Sequence, residues 1–169
     1  MSKPSPTNYP GYFQRYIDLV PESDLTCAFT NQTAEIATFL QSITEEKSMY
    51  TYAAGKWTIK EMLQHIIDTE RIFSYRALCF ARGEQQNLPG FEENDYAANA
   101  YANGRNWEDL IKEFLVVRQG TLFLFNSFTK EALERVGTAN NNVANVTSFG
   151  FITIGHFYHH RNVLQERYF

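Results

Sequence analysis

The sequence predicts an all-α protein that folds as a four-helix bundle. Four segments repeat apolar residues at helical spacing over about 20 positions each, and no segment gives a convincing strand pattern. Amphipathic helices of this length bury their apolar stripes most completely when they pack as a bundle. A chain of 169 residues is long enough to bury such a core, and we expect a single domain over residues 1–169.

The N-terminal part predicts an arm, a short helix and the first long helix. Residues 1–11 hold three of the five prolines, which indicates an arm on the surface. A short amphipathic segment follows at Tyr12–Val20. Asp24 is a typical N-cap residue, and it predicts a helix that runs to about Ile43.

The second long helix has the clearest start signal. Thr58 is followed three residues later by Glu61, the spacing of a capping box. No proline or glycine follows until Gly83, so we expect the helix to end at about Arg82.

The remaining boundaries come from glycine, proline and cap signals. Asn106 predicts the cap of a third long helix that ends at about Phe128, and the last long helix is expected at Ser148–Tyr168. Three connections are predicted between the long helices: a polar segment at 44–57, a long loop at 84–106 with one or two helical turns near Asp95–Tyr101, and a polar loop at 137–147.

Composition excludes several classes of function. The net charge is -4 and the pI is about 5.6, so no basic face predicts nucleic-acid binding. No window of 18 apolar residues predicts a membrane span, and the N-terminus lacks the apolar region of a signal peptide, so we expect a cytoplasmic protein. Cys27 and Cys79 have no CxxC partner, and we expect both to be small buried hydrophobes.

Three of the four histidines lie together on the last helix. His156 and His160 are four residues apart, which places their side chains on one helical face. Two imidazoles in this arrangement can share one divalent metal ion, since imidazole is a common ligand of first-row metals. Core histidines that bind a carbonyl remain an equal alternative for this pair.

The helical wheel places these histidines next to apolar residues. Phe149, Ile152 and Val163 share the face of His156 and His160, so this face is expected to point inward. His65 falls at the edge of the apolar stripe of the second long helix, as a residue between helices would. His159 also fits a metal pair with His156 by spacing, but it lies off this face, and we expect it outside the site.

Three segments resemble the DinB family, and together they span nearly the whole chain. They are GKWTIKEMLQHIIDTERIFSYRALCFARGE (55–84), LPGFEENDYA (88–97) and GHFYHHRNVLQERY (155–168). The family includes metal-dependent hydrolases and transferases that use a low-molecular-weight thiol. The resemblance implies a four-helix bundle, often a homodimer, and a metal site formed by His65, His156 and His160 that holds nickel or zinc.

Several side chains near His65 have two possible roles. Asp68 lies one turn after His65 and can orient a ligand, hold a metal-bound water or act as a base, or it can be a surface carboxylate paired with arginine. Arg76 can bind an anionic substrate, although a structural salt bridge is the expectation. Glu70 and Arg71 are expected to make an ion pair that stabilises the fold, and Trp57 to be a packing anchor.

Two functions follow for a site with three imidazole ligands. An open coordination position predicts an enzyme that acts on a small molecule in stress or detoxification, by hydrolysis or by S-transfer from a low-molecular-weight thiol. In this case Asp68 is the candidate catalytic residue beside the metal ligands His65, His156 and His160. The alternative is a non-catalytic stress-response module in which the ion joins two helices.

Overall fold

Four long helices dominate the computed structural model, which describes residues 1–169 apart from the side chain at position 34. They are α2 (Leu25–Gln41), α4 (Ile59–Ala81), α6 (Trp107–Asn126) and α8 (Val146–Arg167). The short helices are α1 (Gln14–Ile17), α3 (Glu45–Ser48), α5 (Glu93–Asn99) and α7 (Lys130–Glu134), with single 3₁₀ turns at Pro6–Asn8, Gly11–Phe13 and Ala102–Gly104. The two strands are β1 (Val136–Ala139) and β2 (Asn142–Asn145).

The cap residues of the long helices act as the sequence predicts. Asp24 accepts a hydrogen bond from the Cys27 amide at the start of α2, and Asn106 accepts one from Asp109 at the start of α6. Thr58 and Glu61 form both bonds of the capping box. The helix starts that these caps set are therefore confirmed.

The helix ends and connections are less accurately predicted. Helices α2 and α6 each end two residues earlier than expected, and α8 begins at Val146 with Asn145 as its cap. The helical turns expected near Asp95–Tyr101 are present as α5, which begins and ends two residues earlier than expected, and a 3₁₀ turn follows at Ala102–Gly104. The segment 44–57, expected to be a connection, contains the short helix α3.

The prediction that the chain has no strand is wrong. Strands β1 and β2 form an antiparallel hairpin, with Val136 opposite Asn145 and Ala139 opposite Asn142. Asn140 and Asn141 form its turn, and both have positive φ. Asparagine tolerates this left-handed conformation better than most residues, so the polar run that predicts a loop is the turn of a hairpin.

Helix α8 lies at the centre of the bundle. Every residue from Val146 to Tyr158 is buried, so this part of the helix has no solvent face. It packs against α4, α2, α1 and α7, while α6 closes the bundle by packing on α2 and α4. This arrangement places His156 inside the protein, whereas His159 and His160 follow the buried run and are partly exposed.

A close approach between α1 and α8 depends on glycine. A Cβ atom at Gly155 would lie 2.0 Å from the backbone oxygen of Tyr16, far inside the contact distance. Glycine therefore lets α1 lie directly over the part of α8 that carries His156.

One buried polar network joins all four long helices. Arg118 of α6 donates to both carboxylate oxygens of Glu70 on α4, at 2.8–3.1 Å. It also donates to the side-chain oxygen of Gln32 on α2, and the Gln32 amide donates to the Ile154 carbonyl of α8 at 2.9 Å. Glu70 thus pairs with Arg118, and the expected ion-pair partner Arg71 instead contacts Glu113.

The expectation that both cysteines are buried is wrong. Cys27 is exposed and Cys79 is only partly buried. Both lie within helices. Cys79 packs against the core but is only partly covered, and Cys27 faces solvent, which apolar neighbours in sequence do not reveal.

We predict that Arg118→Met strongly destabilises the protein, by about 3–5 kcal/mol, because it leaves the buried Glu70 carboxylate without its cation. Adding Glu70→Gln removes that charge and should recover part of the loss. The measurement is urea unfolding of the two variants, with the exposed Arg82→Met as control. A loss below about 1 kcal/mol in Arg118→Met would show that the network is not a main support of the fold.

Candidate metal centre

The three histidines face each other between α4 and α8. His65 lies on α4, and His156 and His160 lie one turn apart on α8. His65 and His156 are 4% and 6% exposed, whereas His160 is partly exposed. The face of the last helix that carries His156 therefore points inward, as expected.

The ring nitrogens of the histidines converge on one point. The Nε2 atom of His156 is 3.1 Å from that of His65 and 3.0 Å from that of His160. One ligand nitrogen from each of the three residues lies within 4.8 Å of the others. The sequence prediction that His65 meets the pair on the last helix agrees with this geometry.

Burial keeps these imidazoles neutral. Desolvation lowers the pKa of His65 to about 4. Desolvation, together with the other histidines, lowers the pKa of His156 and of His160 well below the ordinary value of 6.5. At neutral pH each ring therefore has a free lone pair, which is the form that binds a metal ion.

The donor set fits a divalent ion better than it fits a hydrogen-bonded cluster. The Nε2 atom of His156 faces two other Nε2 atoms, and it carries either one proton or one lone pair, so it cannot pair well with both. Two imidazoles bound to a tetrahedral ion at about 2.1 Å have nitrogens about 3.4 Å apart, close to the observed separations. In addition, Nδ1 of His160 is buried with no hydrogen-bond partner among the described groups.

Aromatic rings enclose the centre. The ring centroids of Trp57 and His65 are 4.9 Å apart, and those of Tyr16 and His156 are 5.5 Å apart with the two rings nearly perpendicular. Phe73 of α4 packs on His156, with ring centroids 6.3 Å apart. Trp57 is thus a packing anchor, as expected, and it packs against His65. No pattern in the sequence predicts that Tyr16, from the distant helix α1, packs on the site.

His159 lies outside the group of ligand nitrogens, as the helical wheel predicts. It is partly buried and packs on Tyr16, with ring centroids 5.4 Å apart. Its ring also packs on that of His160, with centroids 5.1 Å apart.

Comparison with known proteins identifies the family. Residues 28–164 match the model of the DinB superfamily, which is most of the chain. The chain belongs to the DinB superfamily. The resemblance expected from its three sequence segments is therefore confirmed.

A solved structure supports the fold of this DinB protein. It is similar to YfiT from Bacillus subtilis, with a TM-score of 0.65 and 14% identity over 97% of this chain and 90% of that chain. YfiT is described as a probable metal-dependent hydrolase with an unusual four-helix bundle topology. The predicted four-helix bundle is thus confirmed, and the hairpin is a small addition to it. No functionally curated protein matches the sequence significantly.

Asp68, the candidate catalytic residue of this DinB protein, lies beside the metal centre rather than in it. Its carboxylate accepts a hydrogen bond from Gln64 at 3.0 Å and lies 3.6 Å from Arg71. Burial raises its pKa, against the opposing effects of these two neighbours. Among the described residues it makes no hydrogen bond to the three histidines, and it lines a separate cavity of about 520 Å³ with Tyr96 and Asn99.

A second cavity, of about 130 Å³, reaches His156 itself. It is lined by aromatic, basic and polar side chains from α1, α4, the 84–106 connection and the hairpin turn, among them Tyr12, Tyr16, Thr69, Phe73 and Arg76. The salt bridge expected for Arg76 is not found among the described side chains. Its Nη2 instead donates to the Pro89 carbonyl, at 2.8 Å.

Proposed function

We propose that the protein is a metal-dependent enzyme in which His65, His156 and His160 bind one divalent ion. The observation that supports this most directly is the convergence of three neutral nitrogen donors in the protein interior. Imidazole ligands suit nickel and zinc, the two metals that the family resemblance implies.

No helix among the described residues is long and apolar enough to cross a membrane. The cytoplasm remains the location that we propose.

The histidines and their neighbours prepare the site for chemistry on a small molecule. The bound ion would act as a Lewis acid, towards either a water or a low-molecular-weight thiol. At neutral pH the low pKa values of the three imidazoles keep them in the neutral form, in which one nitrogen of each ring has a free lone pair. Trp57, Tyr16 and Phe73 pack on the rings and restrict both their orientation and the access of water.

Hydrolysis and S-transfer are the two reactions that we propose, in a stress or detoxification role. The description of YfiT as a probable metal-dependent hydrolase supports the first. The second rests on the family resemblance, and a thiol would then be the partner substrate. A screen of activated esters and of thiol–electrophile pairs against the metal-loaded protein separates the two reactions.

The alternative is a non-catalytic module in which the ion only joins α4 and α8. A structural site closes its coordination sphere, with four protein ligands for zinc. The group of possible ligands contains three histidines and no fourth residue among those described, which favours an open, catalytic site.

We propose that the protein forms a homodimer, as the family resemblance implies. Helix α6 supports this proposal, because Val116 and Phe123 lie two turns apart on it and are 72% and 67% exposed. Sedimentation at micromolar concentration should give twice the mass of one chain. A stable monomer under these conditions would exclude the dimer.

We predict that His156→Ala loses the metal and any activity together. Loss of a group that merely supports a ligand lowers metal affinity about 10–100-fold, and loss of a ligand should cost at least as much. The helices should remain, because the bundle packs independently of the ion. The measurements are elemental analysis after dialysis, circular dichroism and hydrolysis of p-nitrophenyl acetate. His159→Ala is the matched control and should keep its metal; a His156→Ala variant with full activity would rule out catalysis by this metal.

We predict that Asp68→Asn keeps the metal but lowers the rate by about 10–100-fold, because its carboxylate assists the reaction from beside the centre. The same two assays, metal content and p-nitrophenyl acetate hydrolysis, decide this. An unchanged rate would assign Asp68 to the surface network with Gln64 and Arg71.

A further inference from the structure

The 130 Å³ cavity next to His156 contains a guanidinium without an anionic partner. Arg76 is 7% exposed, and among the described side chains no carboxylate lies within 4.0 Å of it. Its one described hydrogen bond goes to the Pro89 carbonyl, whereas a guanidinium has five N–H donors. Burial lowers the pKa of Arg76, because desolvation disfavours its charged form.

A buried hydroxyl in the same cavity also lacks a partner. Thr69 is 3% exposed, lines the cavity and makes no hydrogen bond with any described group. Several other helical threonines donate to the carbonyl four residues earlier, as Thr33, Thr121 and Thr153 do at 2.7–3.0 Å. The Thr69 hydroxyl does not make this bond, and so it is available to a ligand.

These two groups continue the line of the metal centre along α4. His65, Thr69, Phe73 and Arg76 are spaced by four, four and three residues, so they share one face of the helix. His65 holds the metal end of this face, and the cavity that Thr69, Phe73 and Arg76 line also reaches His156. A molecule in the cavity would therefore lie between the proposed metal and the free guanidinium.

The charges and size of the cavity favour a small carboxylate. Its lining carries two cations, Arg15 and Arg76, and one anion, Glu93, which together leave one positive charge. Arg15 and Glu93 are exposed, and Arg15 already donates to the Tyr16 hydroxyl, so Arg76 is the buried charge. A single guanidinium matches the fork of a monoanionic carboxylate, whereas a phosphate dianion requires more donors.

We propose that this cavity binds the carboxylate of a small monoanionic substrate, with Arg76 holding the carboxylate and Thr69 donating a further hydrogen bond. The Phe73 ring supplies an apolar wall for a short carbon chain. The proposal deepens the proposed function, on which it rests, by giving the substrate class of the metal centre as short-chain carboxylic acids and their derivatives.

The test is calorimetric titration of the metal-free protein with propionate and with propionamide, its neutral analogue, at low ionic strength and pH 7.5. Propionate should bind at least about 10-fold more tightly than propionamide, which corresponds to about 1.4 kcal/mol. Arg76→Gln should abolish this preference, Arg76→Lys should weaken propionate binding several-fold by removing the fork, and Thr69→Val should weaken it about 3–10-fold. Arg82→Gln, at the end of the same helix and outside the cavity, should bind as the unmodified protein does.

Equal binding of the two probes, no binding of propionate, or an unchanged preference in Arg76→Gln would overturn the proposal. Tighter binding of inorganic phosphate than of propionate would overturn the assignment to a carboxylate. If circular dichroism shows that Arg76→Gln has lost helix, Arg76→Lys and Thr69→Val decide the result.

The metal-free protein keeps this test separate from the proposed function. Metal that stays bound in His156→Ala, together with a propionate preference that depends on Arg76, would refute the metal centre and leave the anion site. Metal that depends on His156, without any propionate preference, would refute the anion site alone.

Discussion

The buried network of Gln32, Glu70 and Arg118 fixes how the four long helices meet. It takes one side chain from each of α2, α4 and α6 and ends on the Ile154 carbonyl of α8. A charge pair that is 1% exposed on both sides costs desolvation energy, and the pair is tolerable only where its geometry is satisfied. Sliding or rotating any one of these helices would break a bond in the interior. The network therefore specifies one arrangement of a bundle whose apolar stripes would tolerate several.

The metal centre depends on that arrangement. Ile154 lies two residues before His156, and Glu70 lies five residues after His65, so the network holds both ligand-bearing helices close to the site. The Arg118 cation also affects the centre. Desolvation and the neighbouring histidines are the larger causes of the lowered pKa of His156, and the positive charge of Arg118 lowers it further. Gly155 admits α1 to within contact of α8, which brings the Tyr16 ring onto His156. The same packing that buries the imidazoles thus keeps them neutral and oriented.

Local sequence signals predict this protein well where one residue decides the structure. The caps at Asp24, Thr58 and Asn106 set the helix starts, and the spacing of His156 and His160 places both on one face. Contacts between segments far apart in sequence are not predictable in this way. The partner of Glu70 is 48 residues away, and the hydrogen bond from Arg76 to the Pro89 carbonyl depends on the fold of the 84–106 connection. The hairpin was missed because its asparagine turn has the composition of a polar loop.

We propose that one divalent ion is held by His65, His156 and His160, with coordination positions left for substrate. X-ray absorption at the metal edge of the purified, metal-loaded protein tests it most directly, because scattering from imidazole rings, oxygen and sulfur can be distinguished. The structure predicts three imidazole ligands at about 2.1 Å, one or more oxygen ligands from solvent, and no sulfur. Sulfur in the coordination sphere, fewer than three imidazoles, or a sphere without solvent oxygen would contradict it.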